Sequence, residues 1–442
     1  MTVRSLATNP KRVNGSPKVL TSNDIEKRDN LANLNGSVHN WYKSILGYSG
    51  ELVSQELDRL KIRGRKKVID PFCGSGTTLV ECMKWGIDCV GIDANPVSEF
   101  ATRVKTNWSL KAGRLRNLCE RIQELYPKAL RHRSSYRQDP TYVYLDSSGM
   151  LERGWISPQP LQKAIGVKWC IRQLKADQKY RNALMLALID EVTHGASNVR
   201  FGPELYCGES REDHDVLSEF CKRVMRMADD LEQVKDIECG TAEVFLGDSR
   251  FCSRTLKNGS SGPYAAVICS PPYPTEHDYT RNARLELAFL EHVFDRESLR
   301  KIKQTMIRSH TKGIYKLDCD SKLVEHDEKV QSIVRSLKRK VRSKDHGFAR
   351  LYPKVVQEYF GGMKRHLVSI QSVLAPSARC IYILGDQSSY LRVHISTADI
   401  LSSIAVEVGF KVVEVRHWRK RWSTTTSREL DENILVLQTP DK

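Results

Sequence analysis

Several features that would assign this chain quickly are absent. Its 442 residues include twelve cysteines, yet no two of them form a Cys-x-x-Cys pair. Structural zinc sites rely on such spacings, and cysteines scattered in this way suggest no disulfide framework, so no metal is expected and the thiols should be reduced. No apolar run approaches the ~18 residues that cross a bilayer. Residues 1–36 are polar, without the apolar core of a signal peptide, which predicts a cytoplasmic protein with no membrane partner. No glycine is followed by lysine, which excludes a Gly-Lys-Ser/Thr triphosphate loop.

Charge, by contrast, is abundant and one-sided. Seventy Lys and Arg against 53 Asp and Glu leave a formal net charge of +17. A surplus of this size implies a polyanionic partner, and without a membrane anchor the first candidate is nucleic acid. A merely basic surface is the plainer alternative.

Two stretches carry chemistry. The first is Val68-Ile69-Asp70-Pro71-Phe72-Cys73-Gly74-Ser75-Gly76-Thr77-Thr78. An apolar strand ends in an acid, turns through two glycines and restarts as a helix, the pattern of the first crossover in an α/β domain. Cys89-Val90-Gly91-Ile92-Asp93 then reads as a second strand whose terminal acid can accept hydrogen bonds from a ribose. The third glycine of a dinucleotide fingerprint is missing. The second stretch is Val267-Ile268-Cys269-Ser270-Pro271-Pro272-Tyr273, a short strand with a rigid extended exit fixed by two prolines.

Together these stretches resemble motifs I and IV of the S-adenosylmethionine-dependent DNA amino-methyltransferases. In that family motif I has the form Asp-Pro-Phe-x-Gly-Ser-Gly-Thr-Thr, and Ser-Pro-Pro-Tyr is the motif IV associated with cytosine-N4 methylation. The resemblance implies a cofactor site of Asp70, Phe72, Gly74, Gly76, Thr77 and Thr78. It adds Asp93 for the ribose, and Ala94 and Asn95 for the adenine. Residues preceding motif I match the position of motif X, so His39, Trp41 and Tyr42 are candidates for the methionine end, with aromatic core packing equally open for Trp41. Asp248-Ser249, after the strand-like 242–246, resembles motif III at the adenine; a plain helix cap is the alternative.

Along the chain, 1–36 reads as a polar arm and 37–107 as the first part of a methyltransferase core. Within the latter, Ser49 or Gly50 caps a helix through Leu57 and Leu60. Residues 108–240 show helical rather than strand periodicity at Leu115–Leu125, Leu161–Leu174 and Leu184–Val192, and form an insertion whose role is open: DNA contact, gating or core extension. Asn198–Gly202 reads as a loop, and Arg131, His132, Arg133 and Arg137 as a small basic cluster. The core resumes over 241–300, where Tyr279 and Arg281 lie close enough to the Ser-Pro-Pro-Tyr loop to touch a base or phosphate. In 301–354 fifteen Lys and Arg face six Asp and Glu, peaking at Lys338, Arg339, Lys340 and Arg342 and continuing to Lys344. Aromatics are sparse there, which favours duplex phosphate contact and marks 301–365 as the leading recognition segment; an exposed charged helix face is the alternative. The remainder, 366–442, returns to α/β text, with strands at Arg379–Asp386, Phe410–Val415 and Asn433–Leu437. Arg416–Trp422 reads as a basic aromatic hairpin loop and a second DNA-contact candidate through Arg419 and Arg421.

The expected fold is therefore α/β: a Rossmann-like methyltransferase sheet, mostly parallel with one antiparallel strand near the C-terminus, carrying a helical insertion and a basic DNA-contact segment. Methyl transfer to an exocyclic amine needs in-line positioning and acceptors for the amine protons. Ser270 and the Pro271 carbonyl supply acceptors, Pro271 and Pro272 keep them aimed, and Tyr273 can stack on the target base. Cytosine-C5 methylation uses a Pro-Cys nucleophile and zinc deamination a Pro-Cys-x-x-Cys pair; no Pro-Cys occurs, so Glu432-Asn433-Ile434, which echoes a C5 motif, reads as accidental. The expected activity is site-specific cytosine-N4 methylation of duplex DNA with the target base flipped out, in a restriction-modification setting with a cognate endonuclease as a further partner. Adenine-N6 methylation, RNA-base methylation and a silent DNA-binding module are the alternatives, in that order.

Overall fold

A computed structural model describes residues 38–42, 47–62, 66–131, 136–201, 205–256, 262–342, 347–423 and 426–441. The polar arm, residues 63–65, and His132, Arg133, Gly202 and Lys344 lie outside these residues.

The elements of the first half follow the local sequence. Helix α1 (Gly50–Leu60) opens on Ser49, whose side chain accepts from the Leu52 amide at 3.2 Å. Strand β1 (Val68–Asp70) leads through the glycine turn to α2 (Thr77–Lys84), β2 (Cys89–Asp93) and α3 (Pro96–Lys105). Asn95 caps α3 with Pro96 at its first turn. The insertion then contributes α4 (Ala112–Arg131), α5 (Pro140–Ser147), α6 (Pro158–Gln173), α7 (Gln178–Glu191) and α8 (Val216–Val234). Between α7 and α8 stands a small antiparallel pair, β3 (Val199–Phe201) and β4 (Leu205–Cys207), where the sequence read as a loop. Strands of three residues leave too little alternation to announce themselves.

The second half supplies β5 (Ala242–Leu246), α9 (Cys252–Leu256), β6 (Tyr264–Cys269), the short helices α10 (Tyr279–Asn282) and α11 (Arg284–Phe289), and α12 (Arg296–Gln304). After them come α13 (Glu328–Arg342), α14 (Tyr352–Gln371), β7 (Leu374–Gly385), α15 (Thr397–Val408), β8 (Lys411–Ser423) and β9 (Arg428–Gln438). Helix α14 runs unbroken across 365 and carries Tyr359, Phe360 and Met363 into the core.

The strands form one seven-stranded sheet in the order β5-β2-β1-β6-β7-β9-β8. Neighbours are parallel from β5 through β7, and β9 runs antiparallel to both β7 and β8. This is a Rossmann-like methyltransferase sheet. Successive residues serve opposite faces: Val267, Cys269, Cys380 and Tyr382 join a core covered by α13, α14 and α15, while Ala266, Ile268 and Ile381 join one covered by α1 and α2. The strand order reverses between β1 and β6, because the chain walks outward through β2 and β5 before returning to the other side of β1. The crevice at the carboxyl ends of the strands flanking such a reversal is where open α/β sheets bind ligands.

A second element also differs from its expectation. Arg416–Trp422 is not a loop but part of β8, a strand of thirteen residues paired with β9 as far as Ser423–Arg428. Charged residues hold this ribbon together. Arg419 meets Glu432 at 2.5 Å and Lys420 meets Glu429 at 3.3 Å across the strands, so cross-strand ion pairs replace the apolar alternation that marks strands elsewhere. Among the described residues no helix is long and apolar enough to cross a membrane, and no His, Cys, Asp and Glu cluster could hold a metal ion.

Candidate active site

The loop after β1 and the loop after β6 meet at the strand-order reversal and together line a cleft of about 1070 Å³. Gly76 adopts φ +85° and caps α2; a Cβ there would stand 2.9 Å from the Thr102 methyl, so the tight turn admits only glycine. The turn is tied to β2 through Asp93. One carboxylate oxygen accepts from the Gly74 amide at 2.8 Å and the other from the Asn95 amide at 2.8 Å. Burial nevertheless pushes the Asp93 pKa up to about 6. Phe72, Gly74, Thr77, Asp93, Ala94, Asn95 and Ser249 all face the cleft.

Other expected cofactor residues support this wall from behind. Asp70 is fully buried, accepting from the Phe72 amide and the Tyr48 hydroxyl, each at 2.9 Å, and burial raises its pKa to about 7. Thr78 is also buried, bonded to the Tyr48 hydroxyl and donating to the Ile268 carbonyl at 3.2 Å. Asp248 caps the turn that follows β5 and pairs with Arg250 at 2.6 Å, the plainer of its two readings, and Ser249 donates to the Pro71 carbonyl. His39 and Trp41 are not among the residues lining the cleft. His39 pairs with Glu81 at 2.6 Å, and Trp41 donates to Asp230 of α8 at 2.8 Å. Their neighbours Tyr42 and Tyr48 line it instead.

On the facing wall, the Ser-Pro-Pro-Tyr loop is fixed by β7. Ser270 Oγ donates to the Ile383 carbonyl at 3.2 Å, and the Tyr273 hydroxyl lies 3.5 Å from the same oxygen. The Tyr273 ring occupies the space where Gly385 has no side chain; a Cβ there would stand 2.8 Å from the ring. The Tyr279 hydroxyl accepts from the Tyr273 amide at 3.1 Å and steadies the loop. Beyond Tyr273, Glu276 at φ +61° receives the Thr311 amide at 3.1 Å, clamping the loop to 305–312, which supplies Met306, His310 and Lys312 to the cleft. Burial drops the His310 pKa to about 4, so its imidazole is neutral near pH 7.

Two regions close the cleft without a signal in the sequence strong enough to place them. The insertion brings Thr193, His194, Phe201 and Leu205, and Arg281 reaches the Leu205 carbonyl at 3.3 Å. The ribbon of β8 and β9 brings Trp418, Arg419, Arg421 and Trp422 over buried Glu432. The apparent C5 echo at Glu432 thus marks a structural carboxylate, paired with Arg419 at 2.5 Å and Arg421 at 3.3 Å. Lys338, Arg339, Lys340 and Arg342 lie on the exposed face of α13 and are not among the cleft-lining residues.

An open sheet of this order, with a glycine turn and a Ser-Pro-Pro-Tyr loop flanking its reversal, is a Rossmann-like methyltransferase fold. A family model described as DNA methylase matches residues 54–100, which span α1, β1, the glycine turn and β2. The chain is 24% identical to the type II methyltransferase M.AvaI of Nostoc sp. over 411 residues, covering 87% of this chain and 81% of the relative. It is 20% identical to the type II methyltransferase M.BsoBI of Geobacillus stearothermophilus over 434 residues, covering 88% and 82%. A third relative, the type II methyltransferase M.MvaI of Kocuria varians, is 27% identical over 265 residues, about half of each chain. The glycine turn and its flanking elements are thus similar to a DNA methylase model, and most of the chain is similar to type II DNA methyltransferases.

Proposed function

We propose that the protein is a site-specific DNA methyltransferase of a restriction-modification system, which moves a methyl group from S-adenosylmethionine to the exocyclic N4 of cytosine in duplex DNA. The observation that carries this reading is the convergence of the glycine turn and the Ser-Pro-Pro-Tyr loop on one cleft at the sheet's reversal. The cleft suits the donor. Asp93, charged above its pKa of about 6, has lone pairs left for ribose hydroxyls, Phe72 and Val97 offer apolar surface to a base, and the close turn at Gly76 keeps the loop backbone within reach. When bound, S-adenosylmethionine supplies a methyl group already activated on sulfur, so the protein has to position and desolvate rather than form a covalent intermediate.

The chain's own groups do the rest. Ser270 Oγ donates a hydrogen bond to the Ile383 carbonyl, which leaves its lone pairs to accept from the target amine. Pro271 and Pro272 hold the adjoining carbonyls still, a preorganised acceptor pair that draws the nitrogen lone pair out of conjugation. As it gains the methyl group the amine releases one proton to solvent by way of these acceptors. Tyr273, braced on Gly385, presents its ring to a base that has left the helix. Serine at the head of this loop favours cytosine over adenine, and adenine-N6 methylation is the rival outcome.

Expression in a methylation-free host, followed by nucleoside mass spectrometry of its DNA, tests the reading. N4-methylcytosine is expected, and it should vanish in Ser270→Ala and Tyr273→Ala while both variants still bind S-adenosylmethionine. N6-methyladenine would overturn the base assignment, and unchanged turnover in the variants would overturn the site.

A further inference from the structure

The ribbon of β8 and β9 outruns the sheet. Strand β7 ends at Gly385, opposite Glu432, whereas β9 continues outward through Asp431, Leu430 and Glu429 to Arg428, and β8 accompanies it to Ser423. The overhang lies at the carboxyl edge, above the Ser-Pro-Pro-Tyr loop. Its register makes a ruler. Glu432 marks the row of Gly385 and Tyr273, and Trp422 pairs with Glu429, three residues further out, or ~10 Å at the rise of an extended strand.

The cationic and aromatic side chains of this overhang are not equivalent. Arg419 and Arg421 are committed to buried Glu432, and Arg419 lies 4.1 Å from the Trp418 ring centre, which leaves those three as wall. A bulge between His417 and Arg419 breaks the register beside them, the device by which ribbons re-aim side chains next to sites. Trp422 lines the same cleft yet remains 61% exposed. A large flat apolar ring held in water at the mouth of the cleft offers a π-face to a flat partner, and every nucleobase has one.

We propose that Trp422 is a nucleobase-stacking residue at the cleft mouth, engaging DNA about 10 Å outward of Tyr273 as the target base is extruded. This rests on the proposed DNA methyltransferase activity. The base it meets is either one left in the duplex beside the extruded nucleotide or the one entering the cleft, and the chemistry of contact is the same.

The test uses the full chain with unmethylated genomic DNA, native and heat-denatured. Trp422→Ala should lower kcat/KM on native DNA by ~5-fold or more, the size of one base–aromatic stack. Trp422→Phe, which keeps a π-face, should recover most of that loss. S-Adenosylmethionine affinity should match the wild type in both, which separates a missing stack from a damaged fold. A loss confined to native DNA identifies a base of the duplex; an equal loss on denatured strands identifies the entering base. Wild-type kcat/KM in Trp422→Ala, or no recovery in Trp422→Phe, would overturn the proposal. A wild-type protein that methylates neither DNA would instead overturn the activity on which it rests.

Discussion

The helix α13 and the strand β8 are both rich in Lys and Arg, and they use that charge in opposite ways. In α13 the cations stand on the outer face while Val330, Val334 and Leu337 bury the inner one against α14. Exposed charge there is cheap, because water solvates it and the helix is held from beneath. In the ribbon, Arg419 and Arg421 turn over a carboxylate that is almost fully buried, inside the cleft wall. The difference teaches that a run of Lys and Arg specifies a cationic surface but not its address; the address is set by what lies on the other side of the element.

Four measurements would sharpen or break this contrast. The largest effect is expected from Glu432→Gln, which leaves both arginines without their counter-charge. Methyl transfer should fall ~100-fold, the scale on which small misplacements in a site act, and kcat near wild type would show that the ribbon merely covers the cleft. Leu337→Ala, on the buried side of α13, should cost ~2–5 kcal/mol in denaturant unfolding while S-adenosylmethionine affinity stays unchanged; a shift in that affinity would couple the helix to the cleft. Neutralising Lys338, Arg339, Lys340 and Arg342 together tests whether α13 meets DNA at all. The salt dependence of DNA binding should flatten by ~1 unit for each phosphate that the helix no longer neutralises, and a wild-type slope would remove the helix from the interface.

The smallest effect is a pH signature. The helix contains no histidine, so its contribution to DNA binding should be flat between about pH 5.5 and pH 8. The cleft is different, since Asp93 titrates at about 6. As pH falls through that value Asp93 gains a proton and loses acceptor capacity, so S-adenosylmethionine affinity should weaken toward about pH 5. The stability linkage has the opposite sign. The folded pKa lies above the ordinary carboxylate value, so this group stabilises the fold below pH ~4 and the benefit is lost as pH rises through about 6. Asp70, at about 7, adds to the same trend. Calorimetric titration of the donor and thermal unfolding across this range would separate the two signs, and parallel trends would dismiss Asp93 as the titrating group.

Much of the fold was legible because motifs I and IV are local. An apolar run, an acid, two glycines and a helix start lie within eleven residues of one another, and Ser-Pro-Pro-Tyr fixes its own backbone. Residues such as Phe72, Asp93 and Tyr273 could therefore be named as cleft residues from their neighbours in sequence. Trp41, an aromatic beside a motif, had two readings, and it was its partner Asp230, 189 residues away, that drew it toward the insertion. Asp70 and Thr78 match the motif yet serve as struts, because Tyr48 bridges them from behind the turn.

What the sequence determined by itself was short-range: the acid-glycine turn, the proline-locked loop, the helix cap at Ser49, and the cationic surplus. Each follows from dihedral limits or composition, and none needs a distant partner. Tertiary structure alone decided that β1 and β6 are neighbours, that Thr193 and His194 close the cleft, and that the ribbon carries Trp422 to its mouth. Those facts depend on strand order and register, which are set by the burial of two sheet faces at once, and a single stretch of chain holds only one side of each such contact.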